Sequence, residues 1–375
     1  MAANNTFQYS LDRDVVYVSI RSIQKFLIPV VCFLGSTGNI LAACTFLART
    51  LRDKSCCLYL AAKCLSDTMF LISLFLVWLD RVDVPAFHLH GFCQIIIFVT
   101  YICGFLSVWF VVFITAENYI RVSCPGRVSQ LCTPEKAKTA ILILVIISIF
   151  VYHFPLWTTG IVLNNGTAGQ CSLLAKYNVV NQGLTYADTV LTLALPSVLI
   201  IFLVVAILCH VYEAFKRQIR LRRLGRHPRR SFLNKSPHGR ITKMLFAVST
   251  VFILFHTPSH AIRLRLLILQ FLNKDINPVE EFKLQRIFEL LYYVNFSTNC
   301  VIYLLFGKSF RQVFKQIYCK PQPCCAEQIT SPQQRRFSSL FQSENLAEKE
   351  TETICLHSVD DIWEKRNSAT STSDK

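Results

Sequence analysis

The sequence predicts an all-α protein, a bundle of seven membrane-spanning helices with a short amphipathic helix at the membrane surface, and three observations predict it. Seven apolar stretches of spanning length run between Phe26 and Gly307 and are separated by short polar loops. A hydrocarbon core of about 30 Å takes roughly 20 helical residues at about 1.5 Å each. The chain is 53% hydrophobic with a mean hydropathy of +0.40, whereas a soluble chain of this length interleaves charge every few residues. The net charge of +16 is gathered beside the ends of the stretches.

Each stretch stands on its own composition. The first, Phe26 to Ala48, lacks Asp, Glu, Lys and Arg. Asp12, Arg13, Asp14, Arg21 and Lys25 precede it, so no cleavable leader is expected and the first span serves as its own insertion signal. The second, Cys56 to Leu79, has only Lys63 and Asp67 among charged residues. The third (Gly91 to Ala116), fourth (Thr139 to Leu163), fifth (Thr189 to Leu208) and seventh (Leu290 to Gly307) are uncharged, and the sixth (Met244 to Ile262) has only histidines to titrate. Pro29, Pro155, Pro196 and Pro258 fall within spans, where each frees a carbonyl and permits a kink.

Loop charge orients the spans. Between the fifth and sixth lie Lys216, Arg217, Arg220, Arg222, Arg223, Arg226, Arg229, Arg230, Lys235, Arg240 and Lys243, the mark of a cytoplasmic loop. The first and third loops are also basic, and the alternate loops hold Asp80, Asp83, Asp275, Glu280 and Glu281. With seven crossings the N-terminus is then outside and the tail inside. The basic excess faces anionic membrane lipid, and nucleic acid is not expected as a partner.

Many of the sixteen cysteines lie inside spans as small hydrophobes. Cys93 and Cys171 fall on the outer side, where a bridge would pin the fourth-to-fifth loop over the bundle mouth. Cys319, Cys324 and Cys325 follow a basic amphipathic stretch and are candidates for palmitoylation. Sequons at Asn4 and Asn165 lie outside and suit glycosylation; those at Asn234 and Asn295 fall in a cytoplasmic loop and a span and are chance matches. No zinc spacing, catalytic triad or Gly-rich phosphate loop is present in the sequence, which argues against an enzyme.

Gly38-Asn39, Leu65-Ser66-Asp67, Cys93, Pro196, Phe252 with His256-Thr257-Pro258, and Asn299 to Tyr303 occur in the order seen in rhodopsin-like (class A) G-protein-coupled receptors, which the chain resembles from about Phe26 to Cys325. Phe306 to Arg311 resembles that family's amphipathic helix along the inner face. The resemblance divides the chain into an extracellular N-terminus (1–24), a seven-transmembrane receptor domain with its amphipathic helix (25–318) and a cytoplasmic tail (319–375). It also implies a sodium or water pocket around Asp67 formed by Asn39, Ser107, Asn295 and Asn299, or else a polar network that only joins helices. No other cofactor is expected. Pro258 is the expected hinge of the sixth span, with Glu117, Asn118, Tyr119, Phe252, His256 and Tyr303 in the switch.

Three positions depart from the family. Glu117-Asn118-Tyr119 lacks the arginine of Asp/Glu-Arg-Tyr, and Arg121, four residues after Glu117, is placed to take over its resting contact. His256 replaces a tryptophan, as a neutral hydrogen-bonded imidazole, and Cys300 replaces the proline of Asn-Pro-x-x-Tyr.

Thr100 stands where amine receptors carry aspartate, and Tyr293 where a retinal protein carries lysine, so neither ligand is expected. Tyr101, Asp188, His260, Arg263, Glu289 and Tyr292 near the mouth suit a peptide end group, with Arg263 for a carboxylate or carbonyl and Glu289 or Asp188 for a basic side chain. Arg265 is expected to pair locally or reach the interface. Ser107-Val108-Trp109 to Thr115-Ala116-Glu117, His256 to His260, and Asn295 to Tyr303 are similar to invertebrate peptide receptors of the FMRFamide and myosuppressin type. Chemosensory or orphan receptors, a weakly coupled receptor-like scaffold, and a seven-helix transporter or channel are the alternatives. The expected partners are an extracellular peptide, a heterotrimeric G protein, arrestin and receptor kinases. Arg335-Arg336-Phe337-Ser338 resembles a basophilic kinase site, and Ser368, Thr370, Ser371, Thr372 and Ser373 could carry phosphates for arrestin.

Overall fold

The computed structural model describes residues 14–82, 84, 91–162, 170–223, 237–271 and 278–319. Seven helical spans form, because backbone placed in hydrocarbon must satisfy its N–H and C=O groups within its own segment. The first three are α1 (Val15–Phe46), α2 (Ser55–Arg81) and α3 (Phe92–Ser123). The fourth is α4 (Pro134–Val151), capped by Thr133 and opening on a proline whose missing N–H costs nothing at that position. An antiparallel hairpin of β1 (Thr159–Val162) and β2 (Gln170–Leu173) follows. The fifth span joins α5 (Asn178–Asp188), a π-helical stretch Thr189–Ala194 and α6 (Leu195–Arg223). The sixth is α7 (Pro237–Phe271), and the seventh is split into α8 (Pro278–Ser297) and α9 (Asn299–Phe306). Finally α10 (Lys308–Tyr318) tucks Phe310 and Val313 against the bundle, with the Phe310 ring 4.9 Å from Phe46 and 5.6 Å from Tyr303.

Hydropathy marks the spans but misplaces several ends. The predicted fourth span, Thr139 to Leu163, is cut short: α4 stops at Val151, one helical turn, Pro155–Thr158, follows, and Thr159 already begins β1. Pro155 supplies no N–H to continue the ladder, and the β-branched Ile161 and Val162 pair with β2 instead, so apolar sequence continues while helix does not. In the other direction, α1 begins at Val15, inside the stretch 1–24 expected to be an N-terminal segment. Asp14 caps it by accepting the Tyr17 N–H at 3.0 Å. The added turns are held by α8, which also begins ahead of its apolar run: Lys283 Nζ lies 2.6 Å from Asp14, and the Gln24 amide donates to the Arg286 carbonyl at 2.9 Å.

The third span is the hub. Ile102 to Val108 are buried on every face of α3, which packs on the second, fourth, fifth and sixth spans. By contrast α4 leaves Leu142, Ile143, Ile146, Ile147 and Phe150 exposed, a face suited to lipid. Between helices in lipid the hydrophobic drive is small, so close contact and hydrogen bonds carry association. Gly35 shows the first of these. A Cβ there would lie 2.5 Å from Ser297 Cβ and 2.6 Å from Leu71 Cδ1, so the missing side chain lets the first, second and seventh spans meet.

Candidate functional site

At one end of the bundle Cys93, in the first turn of α3, is bonded to Cys171 of β2, with Cα atoms 5.9 Å apart. Cys171 pairs in register with Ile161, so the bridge fixes the whole hairpin across that end. Beneath it, Tyr101 stacks on Tyr152 with centroids 5.8 Å apart, and Phe154 meets Tyr101 edge-on at 5.2 Å. The Tyr152 hydroxyl donates to Asp188 at 2.9 Å, and the Thr192 hydroxyl lies 3.3 Å from the same oxygen. Asp188 is therefore engaged within the bundle. Glu289 likewise accepts from Arg286 at 3.0 Å on its own helix, and Arg265 reaches Glu281 at 2.8 Å, a local pair of the expected kind. Tyr292 belongs to a second aromatic group, edge-on to His256 at 5.0 Å and to Phe70 at 5.8 Å. The Thr100 hydroxyl bonds back to the Ile96 carbonyl at 2.7 Å. The side chains of His260 and Arg263, together with Asn4, Asn165, Cys324, Cys325 and the tail serines and threonines, lie outside the described residues.

The centre of the bundle is polar. Asn299 donates to Asn39 Oδ1 at 3.0 Å and to Asp67, and the Asn39 amide donates to the Phe296 carbonyl at 2.8 Å. That carbonyl sits at the break between α8 and α9. The break forms without a proline at Cys300, since two asparagine amides approach the freed carbonyl, Asn299 at 3.2 Å. Lys63, outside the pocket that the sequence predicts, is 2% exposed and forms an ion pair with the fully buried Asp67. Its Nζ also donates to Asn299 Oδ1 at 3.1 Å. The signal was the i,i+4 spacing of Lys63 and Asp67, the same spacing that singled out Glu117 and Arg121. Ser107 Oγ and Asp67 Oδ1 are buried with no hydrogen-bond partner among the described residues. Asn295 turns away to His256, its amide 2.8 Å from Nε2; an amide donating there makes Nε2 the acceptor and the imidazole neutral. His256 stacks on Phe252 at 3.9 Å, next to Pro258 inside an unbroken α7.

Toward the end bearing α10, Arg121 lies on Glu117 through Nε at 3.1 Å and through Nη2, and Ser55 Oγ donates to the same carboxylate at 2.7 Å. The i,i+4 contact expected of Arg121 is formed, and Ser55 adds the second span to it. Asn118 is fully buried, and neither atom of its amide has a partner among the described residues. The Tyr119 ring lies 6.0 Å from His210. Tyr303 is buried edge-on to Phe46 at 4.9 Å, and its hydroxyl accepts from the Cys64 thiol at 3.8 Å. Thr115 and Ser249 share a 2.7 Å hydrogen bond between the third and sixth spans. Cys319, just after α10, is exposed.

One further contact was hidden in sequence. In the π-helical stretch the Leu195 N–H bonds to the Val190 carbonyl, five residues back. The Leu191 carbonyl would by that spacing need the N–H of residue 196, which is proline. It accepts instead from the Trp109 indole at 3.1 Å, joining the third span to the fifth.

Comparison with known proteins agrees with this arrangement. Residues 38–303 match the profile described as 7 transmembrane receptor (rhodopsin family). The chain is 26% identical over 309 residues to the FMRFamide receptor of Drosophila melanogaster, covering 78% of this chain and 53% of that protein. It is 24% identical to somatostatin receptor type 4 of Rattus norvegicus, covering 80% of this chain and 73% of that one. A third similarity, 22%, is to sex peptide receptor-related protein 2 of Caenorhabditis elegans, over 57% of this chain and 51% of the other. The chain thus spans about half the length of the fly and nematode proteins.

Proposed function

We propose, from the premise that this chain belongs to the rhodopsin family of seven-transmembrane receptors, that it is a cell-surface receptor for an extracellular peptide and signals through a heterotrimeric G protein. The observation that carries the peptide reading is the mouth. A disulfide-held hairpin covers an aromatic group, Tyr101, Tyr152 and Phe154, that ends on the Asp188 carboxylate. Rigid aromatic walls with a few oriented polar groups suit a peptide terminus. The relatives named for FMRFamide, somatostatin and sex peptide support the same reading.

In this reading the disulfide end is extracellular and the α10 end cytoplasmic, in keeping with the basic loop between the fifth and sixth spans. A peptide that rearranges Tyr292 acts on His256 and Phe252 through their stacked rings, and so on the sixth span at Pro258. Its effect is limited to its difference in affinity for the two bundle states. Exposed Cys319 is then placed for palmitoylation, and the tail serines and threonines for receptor kinases and arrestin.

The test is a panel of amidated neuropeptides on cells reporting calcium and cAMP, with Asn118→Arg assayed in parallel. A response from the native chain upholds the proposal. Silence of both proteins across the panel, with surface expression confirmed, overturns the peptide reading. A second reading, a receptor-like scaffold with weak coupling, is favoured by the buried Asn118 amide, which has no partner among the described residues; a response from Asn118→Arg alone selects it.

A further inference from the structure

Asp67 is the position at which the family resemblance leads one to expect a sodium ion, and the side chains around it do not fit one. A hard cation of that kind needs several oxygen ligands with room to surround it. Here the Lys63 ammonium is already on Asp67 Oδ2 and within 3.1 Å of Asn299 Oδ1, two of the oxygens such an ion would take. Asn295, a third candidate ligand, is committed to His256.

We propose that Lys63 is the resident cation of this bundle, its tethered ammonium filling the place of sodium at Asp67 and making the folded protein indifferent to sodium. A carboxylate with no exposure at membrane depth requires a counter-charge, and a buried lysine requires an anion. The pair answers both needs and leaves the network neutral. A sodium ion added beside it would set two cations on one carboxylate. Asp67 Oδ1 and Ser107 Oγ, both without partners among the described residues, call for a neutral donor and acceptor, which is the chemistry of a water molecule. The consequence is chemical permanence: an ion is lost by dilution or by a change of salt, whereas a side chain stays at unit occupancy.

The proposal does not depend on the ligand, because its readout is the melting of the bundle. Purified full-length protein is melted in sodium chloride and in choline chloride at equal ionic strength. The native chain is expected to melt at the same temperature in both. Lys63→Leu exposes the demand of Asp67 for a cation and is expected to melt several degrees higher in sodium than in choline. Lys63→Leu combined with Asp67→Asn is expected to lose that difference. Stabilisation of the native chain by sodium over choline overturns the proposal, as does a folded Lys63→Leu protein that is blind to sodium. Lys63→Gln, which keeps a donor for Asn299 and lacks the charge, serves in the same comparison where Lys63→Leu does not fold.

Discussion

Replacing Trp109 by Phe tests whether the fifth span depends on a hydrogen bond lent by the third. The substitution keeps an aromatic ring beside Phe105, 5.8 Å away, and removes the indole N–H that reaches the Leu191 carbonyl. That part-buried carbonyl then lacks a ladder partner at the i+5 spacing, because Pro196 cannot supply one. Leaving a buried acceptor unsatisfied costs about 1–3 kcal/mol. On the scaling for larger domains, about 2 °C per kcal/mol, the apparent melting temperature should fall by roughly 2–6 °C. The loss should depend on Pro196. In a Pro196→Ala background, residue 196 regains its N–H, and the Leu191 carbonyl gains a donor of its own at the i+5 spacing. Trp109→Phe should then cost at least about 1 kcal/mol less, a coupling that a double-mutant cycle resolves. Thermal unfolding of the four proteins in one detergent supplies the cycle. If Trp109→Phe costs the same with and without Pro196, the indole is only packing and the hydrogen-bond reasoning is wrong.

Two further outcomes are expected. Arg121→Ala leaves the buried Glu117 carboxylate with Ser55 as its remaining described donor; removing one partner of a buried pair costs up to about 3–5 kcal/mol. Lower melting and raised basal second-messenger output should result, with partial recovery in Arg121→Lys, and an unchanged protein would show that Glu117 needs no cation. The Asp14 and Lys283 contact, outside the apolar part of the seventh span, should depend on pH at both extremes. Lys283, with the Tyr17 N–H behind it, holds the Asp14 carboxyl below its ordinary 3.8, and Asp14 with Glu280 holds the Lys283 ammonium above its ordinary 10.5. The carboxylate's contribution is present above 3.8 and disappears as pH falls through the depressed value; the ammonium's is complete below 10.5 and disappears as pH rises through the raised one. Hydrogen exchange in the first turn of α1 should stay protected between these limits once corrected for intrinsic rate. Asp14→Asn, which preserves a capping side chain, should remove the acid-side change.

The sequence by itself determined the number of spans and their order, because the cost of placing charge in hydrocarbon is paid locally and is visible in composition. It also determined the Glu117 and Arg121 pair, since i,i+4 neighbours on a helix meet whatever the rest of the chain does. Span ends were less legible. Ile161 and Val162 are as apolar as a span requires and still form a strand, since hydropathy reports the surroundings of a segment and not its backbone.

The site was decided largely by tertiary structure. Asp188 and Glu289 look like free acids in sequence and are engaged, one by Tyr152 from another element and one by Arg286. Cys300 stands where the family has a proline, yet the seventh span is still broken, and Asn39 from the first span holds the Phe296 carbonyl there. The Trp109 contact to Leu191 joins residues 82 positions apart. Lys63 and Asp67 lie one turn apart, but only the packing of Asn39 and Asn299 around them, on spans far along the chain, turns a costly pair of charges into a closed centre. Partition into a membrane is a property of each segment. Satisfaction of buried polar groups is a property of which segments meet, and that is settled when the helices pack.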